Sequence, residues 1–437
     1  MNHRLNKINK PKKTKKEKTI YIIILILTIL LLSTLLITYK IDYDKKQIKL
    51  KQDNLKQEIT SHYNKYVITN KETDLYVLND SKYIKSGKIA ADEELTLEEK
   101  EITYKDEYLK VNTFEEDYYI YYKDIDIIDK LTEQNQRYKR YIVFNKNIKT
   151  KKETNFYDEN NNLIYKLNKS FELPIIINKK DTYGVEINNR LLYVKQEDVL
   201  IINDAKNTSD KPSGRVRTLV YHRIYDPKTE TCNQIICHTE SQFESHIKYL
   251  KDNNFLTLTM KELEYFIDGY INIPIKSTVI TIDDGTMDKR AIPILEKYQI
   301  NATLFLVTSR FKEQDYIDFT SDYLELHSHT HNMHWAGECA GYGSQGGGIL
   351  CLPVERVLSD LKSSREMLNG STVFCYPFYD YNKRAIDLLQ QSGFTMAFAG
   401  TESTNGYAYV GTNKMLIPRI TLNSYTTFEQ FKKYITN

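Results

Sequence analysis

Between Thr19 and Tyr39 the chain reads TIYIIILILTILLLSTLLITY, with no charged residue. A helix rising about 1.5 Å per residue needs roughly 20 apolar residues to cross the hydrocarbon core of a bilayer. The segment is therefore expected to span a membrane, and no later stretch approaches a second span. Arg4, Lys7, Lys10, Lys12, Lys13, Lys15, Lys16 and Lys18 precede it against the lone acid Glu17, whereas the following flank mixes Lys40, Lys45 and Lys46 with Asp42 and Asp44. That asymmetry predicts a cytoplasmic tail (1–18), a retained single-pass anchor (19–39) at the cell membrane, and an extracellular remainder. A cleaved signal peptide is the competing reading, but the run exceeds a signal h-region and no small-x-small site follows it.

Residues 40–66 are charged, lack Gly and Pro, and set Ile41, Ile48 and Leu55 at a heptad interval, as a helical stalk would. From 67 to 203, short runs of Tyr, Ile and Val alternate with Asn, Asp and Lys clusters, which predicts small antiparallel strands. The pattern repeats: Glu72 to Tyr76 is echoed by Glu153 to Tyr157, Tyr108 to Val111 by Tyr183 to Val185, and Tyr122 to Ile125 by Tyr193 to Val199. Two copies (67–130 and 140–203) follow, and their order of elements resembles bacterial SH3-like modules of surface proteins. The resemblance implies cell-wall contact through exposed Tyr; tyrosines that only fill small cores are the alternative. Residues 204–214 are dense in turn formers and read as a linker.

The 61 Lys and Arg nearly balance 58 Asp and Glu, so no basic field calls for nucleic acid as a partner. Beyond 214, β-type runs (Arg217 to Tyr221, Thr278 to Ile282, Ala302 to Val307, Tyr323 to Leu326, Thr372 to Cys375) alternate with helical patterns such as Ser241 to Asp252. Alternation of this kind predicts a mostly parallel α/β sheet or barrel whose reactive groups stand at strand carboxyl ends.

Two strand ends there carry chemistry. Asp283 and Asp284, followed by Gly285, offer one carboxylate for a metal and one free to take a proton. Further on, His327, His329, His331 and His334 stand in one short tract, out of nine histidines in the chain. One carboxylate with two imidazoles and open positions suits a catalytic metal site.

With VYHR (220–223), TIDDG (281–285), ATLFLV (302–307), HSHTHNMH (327–334) and FCYPFYDYN (374–382) in order, residues 215–437 resemble the polysaccharide deacetylases with a NodB-like domain. The resemblance implies a distorted (β/α) barrel and metal-assisted hydrolysis of acetyl groups on N-acetylglucosamine polymers. It implies Asp284, His329 and His334 as metal ligands, the spacing used by the poly-β-1,6-N-acetylglucosamine branch. His327 with His331 is the competing register. It further implies Asp283 as the general base and Phe378 and Tyr376 at the acetyl oxygen. The metal is expected to be divalent, zinc by default, with Co, Ni or Fe also compatible with such ligands.

Two departures from the family pattern stand out. The third motif lacks its Arg, and Arg419 is the candidate replacement that orients the base. The final motif lacks its His, so His222 at the end of the first strand is the candidate general acid, with a structural strand-end histidine as the alternative. The expected function is a membrane-anchored extracellular N-deacetylase acting on poly-β-1,6-N-acetylglucosamine or peptidoglycan. A non-catalytic glycan-binding surface protein on the same fold is the alternative. For an oxidising exterior, Cys232 with Cys237 and Cys339 with Cys351 are the pairings sequence proximity suggests, leaving Cys375 single.

Overall fold

The computed structural model describes residues 14–62, 65–97, 107–111, 117–132, 137, 141, 144–204, 212–285, 288–400 and 406–436. The basic residues from Arg4 to Lys13, and 205–211 of the expected linker, lie outside the described residues. The chain divides into two units, residues 1–85 with 91–130, and residues 86–90 with 131–437.

In the first unit, helix α1 runs unbroken from Lys15 to Thr60 and is long and apolar enough to cross a membrane. Within its charge-free run the polar side chains are satisfied locally: Thr28, Ser33, Thr34 and Thr38 donate to the carbonyls of Leu25, Leu30, Leu31 and Leu35. Beyond it, Tyr66–Thr69 pairs antiparallel with Glu94–Thr96 and Ile125–Ile128, and Tyr118–Tyr121 with Thr73–Asn79 and Tyr108–Val111. Strand alternation sends Tyr118 and Ile120 into the core beside Val67, Leu75 and Leu109, while Tyr119 and Tyr121 stay partly exposed.

The second unit opens with another antiparallel module. Its strands lie in the order Val199–Asp204, Lys146–Thr150, Glu172–Asn178, Thr182–Ile187, Arg190–Lys195, Thr154–Tyr157, Leu163–Leu167. Both modules close in the same way: a 3-10 turn, Tyr122–Asp124 or Gln196–Asp198, leads into a strand, Ile125–Ile128 or Val199–Asp204.

The sequence reading sets this module apart behind a linker, but it shares a core with the domain that follows. The run Ile175-Ile176-Ile177 puts apolar side chains on both faces of its strand, so one face needs cover from elsewhere. Ile176, Ile177 and Tyr193 obtain it from Leu263, Phe266 and Ile271. Alongside, Arg137 donates to Glu262 Oε1 at 2.5 Å and to the Thr257 carbonyl at 2.6 Å.

The C-terminal domain is built on nine strands: β1 (Arg215–Tyr221), β2 (Leu256–Thr257), β3 (Ser277–Asp284), β4 (Ala302–Leu306), β5 (Leu324–Ser328), β6 (Val373–Cys375), β7 (Met396–Phe398), β8 (Tyr407–Tyr409) and β9 (Ile420–Thr421). They lie in the order β7-β6-β5-β4-β3-β1-β8, with β2 beside β3 and β9 beside β1. All these pairs are parallel except β1 with β8. Among the described residues no strand ladder joins β7 to β8, so the expected barrel is seen here as a mostly parallel sheet.

The strands read as continuous apolar runs because both faces are covered. On one side Leu219, Ile280, Ile282 and Leu304 pack with Phe243, Ile247 and Leu250 of α2 (Glu240–Asp252). Elsewhere Val216, Val279, Phe305 and Val373 pack with the α3 helix (Met260–Ile267). Both helices start on capping boxes, Thr239 with Gln242 and Thr259 with Glu262, which fixes where each strand-to-helix turn ends. Register then sets the functional level: Asp284 pairs with Leu306, Leu306 with Ser328, and Ser328 with Phe374, so β3 to β6 finish together.

Candidate metal centre

At that shared level, Asp284, His329 and His334 bring one ligand atom each to within 4.8 Å of one another. His334 Nε2 lies 3.0 Å and His329 Nε2 3.6 Å from Asp284 Oδ1, an oxygen that is buried and has no hydrogen-bond donor. His329 Nδ1 sits 2.8 Å from the Cys375 carbonyl; that contact puts the ring proton on Nδ1 and leaves Nε2 with a lone pair facing Asp284. A buried orphan carboxylate oxygen flanked by two imidazoles fits a divalent cation with nitrogen and oxygen ligands. Burial raises the Asp284 pKa, but His334 and His329 more than offset this and hold it well below the carboxylate range. Burial, and then His334, lowers His329 to about 4, so its ring is neutral near pH 7, as a ligand must be.

The other two histidines of the tract do not join this cluster. In an extended strand His327, His329 and His331 would point the same way, but His327 sits two residues deeper along the strand, level with Phe305, and Thr330, with φ of 79°, breaks the alternation between His329 and His331. His327 Nδ1 meets Ser371 Oγ at 2.8 Å, inside the sheet. His331 Nδ1 meets Thr308 Oγ1 at 3.0 Å, and its N–H donates to Asp360 Oδ1 at 2.7 Å. Asp360, from α4 (Val354–Met367), also accepts from the Asn332 N–H and so fixes the turn that swings His334 back.

Asp283, one residue before Asp284 on β3, is fully buried against Arg419, just before β9, and its carboxylate also lies within 4.8 Å of a His329 ring nitrogen and of Cys375 Sγ. Arg419 Nη1 donates to Oδ1 and Nη2 to Oδ2, each at 2.7 Å, and Nη1 also reaches Thr281 Oγ1 at 3.1 Å. Burial pushes the Asp283 pKa up, but the guanidinium overrides it and holds the carboxyl below its ordinary value. Cys375 Sγ completes this cluster, 3.4 Å from Asp283 Oδ2 and 2.9 Å from Arg419 Nη2. The sequence offers only one signal for this role, the place of the otherwise unpaired Cys375 at the very end of β6. Burial pushes that thiol pKa well up, so it stays protonated.

His222 follows β1, and its Nδ1 is buried without a partner. It lies near enough that a positive charge on it would favour ionisation of both Asp283 and Asp284. Phe378 follows β6 in a 3-10 turn, its ring centroid 4.6 Å from that of His334. Tyr376, expected at the acetyl oxygen, is instead inside the core between Phe374 and Tyr381, and its N–H donates to the Phe398 carbonyl. Strand alternation after Phe374 and Cys375 turns it away from the cluster.

Backbone strain collects around these groups. Asp284, Thr330, Phe378 and Tyr379 all have left-handed φ, at 74°, 79°, 58° and 59°. Such conformations are costly for side chains with a Cβ and persist where surrounding structure enforces them, typically at functional sites. Gly285 continues the turn at φ 76°, where an added Cβ would strike Leu306 and Phe311.

Beside the cluster, Cys339–Cys351 is disulfide-bonded, as is Cys232–Cys237, and Cys375 is free. The loop between Cys339 and Cys351 folds onto Asp380, which accepts from Gln345 N at 3.0 Å, Gly347 N at 3.1 Å, Ser344 Oγ at 2.9 Å and the Ser344 N–H. A Cβ at Gly343 would run into that carboxylate.

Residues 271–397 match the family described as polysaccharide deacetylase. A poly-beta-1,6-N-acetyl-D-glucosamine N-deacetylase of Staphylococcus aureus (strain MRSA252) is 27% identical over 214 residues, 45% of this chain and 70% of that protein. A solved de-N-acetylase from Aggregatibacter actinomycetemcomitans shares 22% identity over 50% of this chain and 99% of its own, with a TM-score of 0.43. A Streptococcus pyogenes deacetylase in complex with acetate shares 17% over 52% and 99%, also at 0.43.

Proposed function

We propose that this chain, which matches the polysaccharide deacetylase family over residues 271–397, is a hydrolase acting on amide bonds, a membrane-anchored, extracellular, metal-dependent N-deacetylase of an N-acetylglucosamine polymer. Poly-β-1,6-N-acetylglucosamine is the first substrate to test and peptidoglycan the second. The observation that carries the reading is the separation of two adjacent carboxylates: Asp284 faces two imidazoles while Asp283 is locked to Arg419.

Asp284, His329 and His334 would hold the divalent metal, zinc by ligand type. When bound, it supplies Lewis-acid polarisation of the acetyl carbonyl and acidifies a water molecule. Asp283 accepts the proton of the attacking water, since Arg419 keeps it ionised and its remaining lone pairs can still accept. The backbone N–H of Phe378 stabilises the developing oxyanion. His222, at the end of β1, is the residue assigned to return a proton to the departing sugar nitrogen. The products are acetate and a glucosamine unit, which is cationic at neutral pH.

Helix α1 is the anchor in this reading, with the basic tail on the cytoplasmic side. The two β modules stand between anchor and catalytic domain as SH3-like spacers that touch the cell wall.

The test is acetate release by the metal-loaded full chain from poly-β-1,6-N-acetylglucosamine and from peptidoglycan, side by side. Release from the former is expected. Release from peptidoglycan alone moves the substrate assignment, and release from neither points to a glycan-binding protein without catalysis.

A further inference from the structure

The chain has a single tryptophan, Trp335, directly after His334, and its side chain is 55% exposed. An exposed indole is ordinarily mobile, but this one is held: its Nε1 donates to Asn332 Oδ1 at 3.3 Å, and the Arg310 guanidinium lies 6.0 Å from the ring. Asn332 is itself fixed through its N–H to Asp360 and is reached by Ser309 Oγ at 3.4 Å. Arg310 bridges back to the metal cluster, with Nη2 3.4 Å from His334 Nδ1. A large flat ring is thus set beside the cluster and open to solvent.

Phe378, whose ring lies 4.6 Å from that of His334, and Tyr379 also line a groove of about 870 Å³ continued by Tyr381, Tyr407, Asn413 and Pro418. That lies within the range of about 300–1,000 Å³ typical of ligand sites. The cluster therefore has receptive surface beyond what one acetylated sugar would cover.

Building on the deacetylase reading, we propose that Trp335 is a stacking platform for a sugar ring next to the one being deacetylated. A second neighbouring unit enters the Tyr379–Tyr407 groove, so the enzyme acts on units inside a chain. Pyranose rings present a face of C–H groups that an aromatic face covers while their hydroxyls stay at the rim in water, the division an exposed, pinned indole suits. The Arg310 side chain, pairing with the indole, leaves its remaining N–H groups for those hydroxyls.

Because Trp335 is the sole tryptophan, its fluorescence reports directly on occupancy. The full chain in detergent, without metal, is titrated with N-acetylglucosamine and with β-1,6-linked N-acetylglucosamine oligomers. Emission is expected to shift and saturate with the oligomers and to stay flat with the monosaccharide. In parallel, Trp335→Ala should raise KM for oligomers about tenfold with a smaller effect on kcat, and Trp335→Phe should restore KM. Flat emission with oligomers that the metal-loaded protein does deacetylate, or an unchanged KM in Trp335→Ala, overturns the platform and leaves the catalytic reading intact. A saturating shift without acetate release does the opposite. Saturation by the monosaccharide at equal affinity overturns the assignment to a neighbouring unit.

Discussion

Arg419 and Asp283, 136 positions apart in the chain, meet through two parallel hydrogen bonds of 2.7 Å in a fully buried, fork-to-fork pair. Tyr379, Phe305 and Phe398 surround the guanidinium at 5.3, 5.8 and 5.7 Å from their ring centroids. Removing one member of such a pair strands a buried charge, which destabilises by about 3–5 kcal/mol. Arg419→Met should therefore lower stability by that order and cut turnover sharply, because Asp283 would then hold a proton. Arg419→Lys keeps a charge without the fork and should be intermediate. Added guanidinium, at concentrations too low to denature, should restore part of the Arg419→Met turnover; turnover near that of the parent in Arg419→Met would dismiss the pairing as a requirement.

The histidine register can be read from metal content alone. His329→Ala and His334→Ala should each bind less than a tenth of the zinc held by the parent protein, while His327→Ala and His331→Ala retain it. Elemental analysis after dialysis decides. A metal-free His331→Ala beside a loaded His334→Ala would reverse the assignment.

Asp380 carries the loop between Cys339 and Cys351 by accepting from both backbone and side-chain donors, and those donors hold its pKa below the ordinary value against the effect of burial. Asp380→Ala leaves several donors unpaired and should cost about 3 kcal/mol. The disulfide restricts the same loop in the open chain, by about 3 kcal/mol for a ring of roughly this size. Thermal unfolding of Asp380→Ala with and without reductant should show both losses, and limited proteolysis should cut between 340 and 348. A variant as protease-resistant as the parent would mean the loop is held by something else.

Glu325, near the start of β5 and four positions before His329, accepts from the Met260 N–H at 2.8 Å. Burial, reinforced by the neighbouring Glu262, pushes its pKa from 4.5 up to about 7. The folded protein therefore keeps this proton to higher pH than the unfolded chain does. The stability it contributes is complete below about pH 4.5 and is lost as pH rises through about 7. Glu325→Gln should remove that loss: its melting temperature should gain on the parent's from pH 5 to pH 8. Parallel curves would show that Glu325 titrates normally.

What the sequence made legible was local. The charge-free run from Thr19 to Tyr39, the strand-helix alternation after 214 and the adjacency of Asp283, Asp284 and Gly285 are each contained within a few turns or one strand, and each has its counterpart in the structure. What escaped depends on distant pairing or on one dihedral angle. Cys375 became part of the Asp283 cluster only because β6 ends level with β3 and Arg419, just before β9, extends its side chain to the same carboxylate. The path of the histidine tract turns on Thr330, a β-branched residue in a conformation its type disfavours, held by Asp360 from another helix. Tyr376 looked like a substrate contact by motif position, yet the alternation after Cys375 buries it. The shared core of the second β module with the domain after it was hidden because an Ile-rich strand reads the same whether its second face meets solvent or a partner domain.

The central claim is that two neighbouring carboxylates divide the work, and metal content measured alongside turnover in Asp283→Asn and Asp284→Ala tests it most directly. Asp283→Asn should hold as much zinc as the parent yet release acetate about 10² to 10⁴ times more slowly, the range expected for loss of a general base. Asp284→Ala should lose both metal and activity. An Asp283→Asn protein without metal, or one with metal and full turnover, would contradict the account.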